Sequence, residues 1–347
     1  MIGIRAGVSQ SNPLARALAA SPELFPYAFD LHSGTVTLLH LSRAEYEQAS
    51  FLDGRIAGAS KPTRPLPFAQ LADAVAATAL RESCYFIFHI GHVGSTLLSR
   101  LLGRHPALFS LREPDILRTL ALAQSATAAY LPVFLKLWSR AFDANTRAVV
   151  KASSFVSDLA AQILALDYAP KALLMGVAPE TYLATIFGGE NAPREARALA
   201  PFRLARLRAR LGCAWRLEEM SEGEIVALGW ACEASALAAA AAQSAERIHV
   251  IDFDRFLARP QEHLQAAFAH FGISIEDKEI AALLAGPEMR SYSKAPEHSY
   301  DAALRQSVLD QGRAHFAAEI RRGLSWLDRA ARQYPRIARA FSLFECG

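Results

Sequence analysis

YFIFHIGHVGSTLLSRLLGRH, residues 85–105, decides the fold. Its first six residues form an almost unbroken apolar run of β-formers, the signature of a strand buried on both faces. GHVGST (91–96) follows as a tight glycine-containing turn, and TLLSRLLGRH (96–105) has helical spacing. Strand, glycine loop and helix in that order gather backbone N–H groups around one point, where the helix dipole adds positive potential. Such a point suits a phosphate. Gly91 and Gly94 permit positive φ and close approach, and Ser95 and Thr96 supply hydroxyl donors at the helix start. Two glycines in a strand-to-helix turn also occur with no ligand at all. The Walker A pattern requires lysine after the last glycine, and Ser95 stands there instead, which counts against an ordinary nucleoside triphosphatase.

Working outward, RAVVKA (147–152), KALLMGV (171–177) and RIHVID (247–252) are further buried-strand candidates, separated by helical stretches such as 156–166 and 230–246. Alternating β and α implies a mostly parallel sheet. Before it, PYAFDLHSGTVTLLH (26–40) alternates around Ser33-Gly34 as a hairpin, 42–58 reads as a short helical segment, and 69–81 as a helix. The prolines of KPTRPLPF (61–68) disfavour helix before them and mark a separating stretch. The chain therefore divides into an N-terminal appendage, 1–68, and a main domain, 69–347.

The 347 residues, 52% hydrophobic, can bury a large core, which excludes a disordered or fibrous chain. A net charge of +3 without a long Lys/Arg block gives no reason to expect a nucleic-acid partner. Cys84, Cys213, Cys232 and Cys346 are scattered with no CxxC pair, which fits a reducing, cytoplasmic setting. The first 21 residues hold no continuous apolar segment of signal-peptide type, and 226–242 is Ala-dominated, contains Glu233 and reads as a buried helix, not a membrane span. Segment 194–216 carries seven arginines, with Arg203, Arg206 and Arg210 on one helical face. The commoner fate of such a face is solvent, with aliphatic stems covering apolar surface.

HIGHVGSTLLSRLLGRHPALFSLREP (89–114) resembles the opening of the sulfotransferases, in motif layout the tyrosylprotein and glycan-type branch, whose loop reads Pro-Arg-Ser-Gly-Ser/Thr-Thr. The resemblance implies that Gly91, His92, Val93, Gly94, Ser95 and Thr96 hold the 5′-phosphosulfate end of 3′-phosphoadenosine 5′-phosphosulfate (PAPS). His92 stands where the family has Arg or Lys, so the donor to the sulfuryl oxygens becomes an imidazole. Glu113, in Leu-Arg-Glu-Pro, matches in placement the glutamate that acts as general base, with pairing to Arg112 or Arg118 as the plainer alternative. His89 is the next candidate for base. Lys151 ends an apolar run and should emerge at the carboxyl edge of the sheet, where ligands collect in open α/β folds. The family's lysine at the end of such a strand approaches the bridging oxygen.

LLMGVAPETYLATIF (173–187) looks like the family's Arg-Asp-Pro-x5-Ser segment, which grips the 3′-phosphate; Pro179 and Thr185 align, while Val177 replaces the arginine. Arg194, Arg197 or the C-terminal run then remain as substitutes. IDFDRFLARPQEHLQAAFAHFGI (251–273) resembles the family's Tyr-Glu-Asp-Leu segment, with Asp254 expected to cap a helix rather than hold a metal. MRSYSKAPEHSYDAALRQ (289–306) resembles the late basic loop that closes over the adenosine and 3′-phosphate, with Arg290, Ser293 and Lys294 as candidates. The resemblance spans 84–315; residues 1–70 match nothing.

The expectation is a three-layer α/β/α P-loop NTPase-like fold with a mostly parallel sheet, moving a sulfuryl group from PAPS to a hydroxyl acceptor on a small molecule, glycan or lipid. Neither a metal nor a membrane span is expected. Two alternatives stand beside it: a kinase-like transferase using ATP and magnesium, and a non-catalytic nucleotide-binding protein that keeps the fold.

Overall fold

The computed structural model describes residues 12–57, 61–123, 127–290 and 302–345. After helix α1 (Pro13–Ala20) come strands β1 (Leu24–Asp30) and β2 (Thr35–His40), the short helix α2 (Arg43–Gln48), β3 (Thr63–Pro67) and α3 (Phe68–Ala76). β1 and β2 form the expected hairpin, with Gly34 at φ 64° in its turn. The stretch read as a separator contains a strand. Thr63–Pro67 pairs antiparallel with β2, and its prolines are tolerated because β3 lies at the edge of the order β1-β2-β3.

Helix α2 is shorter than the 42–58 expected. Ser42 and Glu45 form a capping box at its start. At its end the guanidinium of Arg112 takes the carbonyls of Tyr46, Glu47 and Ala49, and the chain leaves the helix into a bend and turn over 52–56 beside the end of β5.

That main sheet is built from β4 (Tyr85–His89), β5 (Leu108–Arg112), β6 (Arg147–Lys151), β7 (Ala172–Gly176) and β8 (Ile248–Asp252). All four pairings are parallel and the spatial order is β5-β6-β4-β7-β8. β5 is the one strand the apolar runs did not reveal. Between and around the strands lie α4 (Ser95–Gly103), α5 (Ile116–Ala123), α6 (Thr127–Trp138), α7 (Leu159–Leu164), α8 (Pro179–Gly188), α9 (Ala192–Leu211) and α10 (Glu222–Gln243). After β8 follow α11 (Phe253–Ala258), α12 (Pro260–His270), α13 (Asp277–Ala285), α14 (Ala302–Gln333) and α15 (Pro335–Glu345). Helices cover the faces of a five-stranded parallel sheet, giving the α/β/α P-loop arrangement. Phe86, Ile87, Val149, Val150, Leu173 and Leu174 are wholly buried, as an apolar strand between two helical layers requires. The α10 helix has the length and apolarity of a membrane span, but 83% of its most apolar window is packed inside the protein, so it is a core helix.

From β4 the chain runs toward one edge of the sheet, and from β7 toward the other. A crevice opens beyond the carboxyl ends of strands at such a reversal, and the loop after β4 lies there.

Candidate functional site

At the carboxyl end of β4 a cleft of about 580 Å³ is lined by the whole 91–96 loop, together with Glu113, Ser153, Ser154 and Thr185. Gly91 has φ 92°, and a Cβ on it would sit 3.2 Å from the Ser154 hydroxyl. Gly94 has φ 64°, and a Cβ there would lie 2.0 Å from the Phe253 ring. The loop is thus wrapped as tightly as only glycine permits at both positions. His89, at the strand end, anchors it: Nδ1 accepts from the Gly91 amide at 3.1 Å, so Nε2 carries the proton and donates to the Ala152 carbonyl at 2.9 Å. With both ring nitrogens engaged, His89 holds the loop rather than serving as a base.

No side chain caps α4, whose first-turn amides have no partner within the helix. Thr96, 2% exposed, lines the cleft with a buried hydroxyl that has no hydrogen-bond partner. Leaving such a group unsatisfied costs about 1–3 kcal/mol, which an oxyanion in the cradle would recover. The residues present therefore fit the phosphate end of a nucleotide. His92 lies at φ 55° with its Nε2 3.8 Å from Glu195, and both line the cleft.

Glu113 follows β5 at φ 53°. Positive φ in a glutamate before a proline is a strained conformation of the sort held at functional sites. Two bonds from one residue hold it: its amide donates to the Lys151 carbonyl at 2.7 Å, and its carboxylate accepts from the Lys151 ammonium. Lys151 departs from expectation. Its side chain is wholly buried and does not line the cleft, because Glu113 lies over the strand end and takes the ammonium. Contact of Lys151 with a phosphate is not what this geometry provides; support of Glu113 is.

The corner expected to grip a 3′-phosphate is closed. Val177 is 1% exposed, its carbonyl accepts from the Trp230 indole at 3.1 Å, and Gly176 faces the Phe344 ring. Thr185 lines the cleft, with its hydroxyl donating to the Thr181 carbonyl at 2.7 Å. Neither arginine suggested as a substitute lines the cleft: Arg194 is exposed, and Arg197 pairs with Glu222. Arg305 does line it, bonded to Asp254 and lying over the Phe253 ring at 5.1 Å. It belongs to the 289–306 stretch, whose named candidates fare differently. Ser293 and Lys294 lie outside the described residues, and for Arg290 only the backbone is described. Asp254 does not cap α11; Asp252 does, accepting from the Arg255 amide at 2.9 Å.

The arginine face of α9 is not solvated. Arg203, 5% exposed, and Arg206 clamp the fully buried Glu233, while Arg206 and Arg210 share Asp158. Burial works to raise the Glu233 pKa, but the charges of Arg206 and Arg203 outweigh it and hold the carboxyl below its ordinary value. This cluster is complete without a ligand.

Sequence reasoning missed Ser153 and Ser154, which follow Lys151 after Ala152, and the lining residues Phe51, Asp53 and Arg55. No motif marks the last three; the turn of the chain after α2 brings them in.

Fold and site together define an α/β protein with a tightly wrapped glycine loop and an uncapped helix at the sheet's reversal point. No protein-family model and no curated protein sequence matches the chain. Several solved sulfotransferase structures are similar to it. One is the sulfotransferase domain from the curacin biosynthetic pathway, with 17% identity, TM-score 0.42, and coverage of 67% of this chain and 91% of that one. Another, from Alicyclobacillus acidocaldarius, has 17% identity, TM-score 0.33, and coverage of 70% and 98%. Mouse sulfotransferase SULT7A1 complexed with PAP has 13% identity, TM-score 0.41, and coverage of 78% and 92%. Residue roles in this chain rest on its own geometry.

Proposed function

We propose that the chain is a sulfotransferase taking PAPS as donor and a hydroxyl compound as acceptor. The observation that carries this reading is the uncapped α4 terminus with the unpartnered, buried Thr96 hydroxyl, opening on the same cleft as the strained carboxylate of Glu113. The 91–96 amides and the Ser95 and Thr96 hydroxyls hold the 5′-phosphosulfate end, and His92 donates to the sulfuryl oxygens. Thr185 and Arg305 are the groups offered to the rest of the nucleotide. When bound, PAPS supplies a sulfuryl group whose bond to the 5′-phosphate oxygen breaks as the bond to the acceptor oxygen forms, leaving PAP. Glu113 takes the acceptor proton, with Lys151 fixing the carboxylate in place. A kinase reading is disfavoured because no lysine lines the cleft among the described residues. Cys84, Cys213 and Cys232 are free thiols, which suits a reducing cytoplasm.

Calorimetric titration with PAP, and separately with ATP and magnesium, tests the donor site; tight binding of PAP alone is expected. Preference for ATP would replace this reading with the kinase one, and silence to both would remove it. Glu113→Gln is expected to keep PAP affinity while abolishing sulfuryl transfer. Alanine is the poorer variant, since it strips the buried Lys151 ammonium of the Glu113 carboxylate, at a cost of several kcal/mol. Normal turnover in Glu113→Gln would remove Glu113 as base.

A further inference from the structure

The bend and turn after α2 are fastened to the same strand end as Glu113. Leu52 donates its amide to the Arg112 carbonyl at 2.7 Å, and the Asp115 amide donates to the Leu52 carbonyl at 3.3 Å, so the two bonds flank Glu113. The Arg112 side chain, 3% exposed, locks the preceding turn through backbone carbonyls, among them Ala49 at 2.6 Å and Glu47 at 3.0 Å. Phe51, Asp53 and Arg55 are thereby delivered into the cleft, which Asp115 of the β5–α5 turn and Arg118 of α5 also line.

These side chains form a set of defined chemistry. Arg55 grips Asp53 through Nε at 2.8 and 3.1 Å, and its guanidinium lies 3.5 Å over the Phe51 ring. Burial, and then the charge of Asp53, raise the Asp115 pKa, while Arg118 acts electrostatically on both aspartates. Two carboxylates and two guanidinia make a wall with no net charge, rich in both acceptors and donors and bordered by a ring.

We propose that Phe51, Asp53 and Arg55, together with Asp115 and Arg118, form the acceptor subsite, and that it takes an uncharged polyhydroxylated compound such as a sugar. The inference rests on the sulfotransferase reading of the cleft. Hydroxyl groups donate and accept at once, so they can bond to carboxylates and guanidinia together. A cationic or anionic acceptor would leave an unpaired charge beside the half-buried carboxylates of Asp53 and Asp115, although both guanidinia are exposed. The N-terminal unit is then the recognising half of the enzyme, facing the donor loop across Glu113.

The test titrates full-length protein, with and without saturating PAP, with three matched probes: 4-nitrophenyl β-glucoside, the corresponding glucosaminide and the glucuronide. The neutral glucoside is expected to bind at least about tenfold more tightly than either charged analogue, a difference of ~1.4 kcal/mol. Phe51→Ala and Arg55→Gln are each expected to weaken glucoside binding by about tenfold or more while PAP affinity stays within about twofold. Arg55 is 61% exposed, so its replacement spares the fold. Tighter binding of a charged analogue, or no binding of any probe, overturns the acceptor class. Wild-type glucoside affinity in both variants overturns the subsite. Failure of PAP to bind is a separate result, which removes the donor reading first.

Discussion

Two strand-to-helix junctions lie side by side in this sheet and behave oppositely. After β4, the chain wraps through Gly91 and Gly94, the helix is left uncapped, and Thr96 keeps a buried hydroxyl without a partner. After β7, Val177 is sealed under Trp230, Gly176 is filled by the Phe344 ring, and Pro179 starts α8 without an amide donor to satisfy. Both have the strand–turn–helix form, and both helices lack a side-chain cap. What separates the open corner from the packed one is the polar capacity left over. One junction keeps a buried hydroxyl with nothing to donate to, and the other is closed by apolar contact.

The sharpest way to break the contrast is to place the missing arginine in the closed corner. Val177→Arg puts a guanidinium in a position that is 1% exposed, and is expected to cost about 3–5 kcal/mol in chemical denaturation without improving PAP affinity. Wild-type stability with tighter PAP binding would show that the corner is a phosphate site after all. In the open corner, Gly94→Glu fills the cradle and forces a side chain toward the Phe253 ring, so PAP affinity is expected to fall by about 100-fold or more in calorimetry. Thr96→Val is the finer probe, because it removes only the unpartnered hydroxyl. Stability is expected to hold or rise slightly, since no bond is lost, while PAP affinity falls by about tenfold. Loss of stability with unchanged affinity would make that hydroxyl a structural group.

The loop side of the cleft was largely legible in the sequence. An apolar strand, two glycines and a hydroxyl pair in 85–96 obey local rules, and the structure realises each of them at one place. β5 was not legible, because LFSLR is short, interrupted by Ser110 and followed by Glu-Pro, which reads as loop. The arginine cluster of α9 and the Lys151–Glu113 pair show the same limit. Periodicity put Arg203, Arg206 and Arg210 on one face, but only tertiary packing set that face against Glu233 and made it structural. Lys151 was found at the right strand end and given the wrong neighbour, since Glu113 reaches it from 38 positions away.

The sequence by itself determined the strand–loop–helix unit of residues 85–103 and the composition of its glycine loop, because both depend on backbone conformation and on side chains within a few residues of one another. Tertiary structure alone decided that residues 51–55 border the cleft and that Lys151 is buried behind Glu113. It also decided that Val177 closes one corner while Thr96 stays unsatisfied in the other. Each of these is a question of which distant group arrives to satisfy a charge or a hydrogen bond. Spacing along the chain carries no record of that answer.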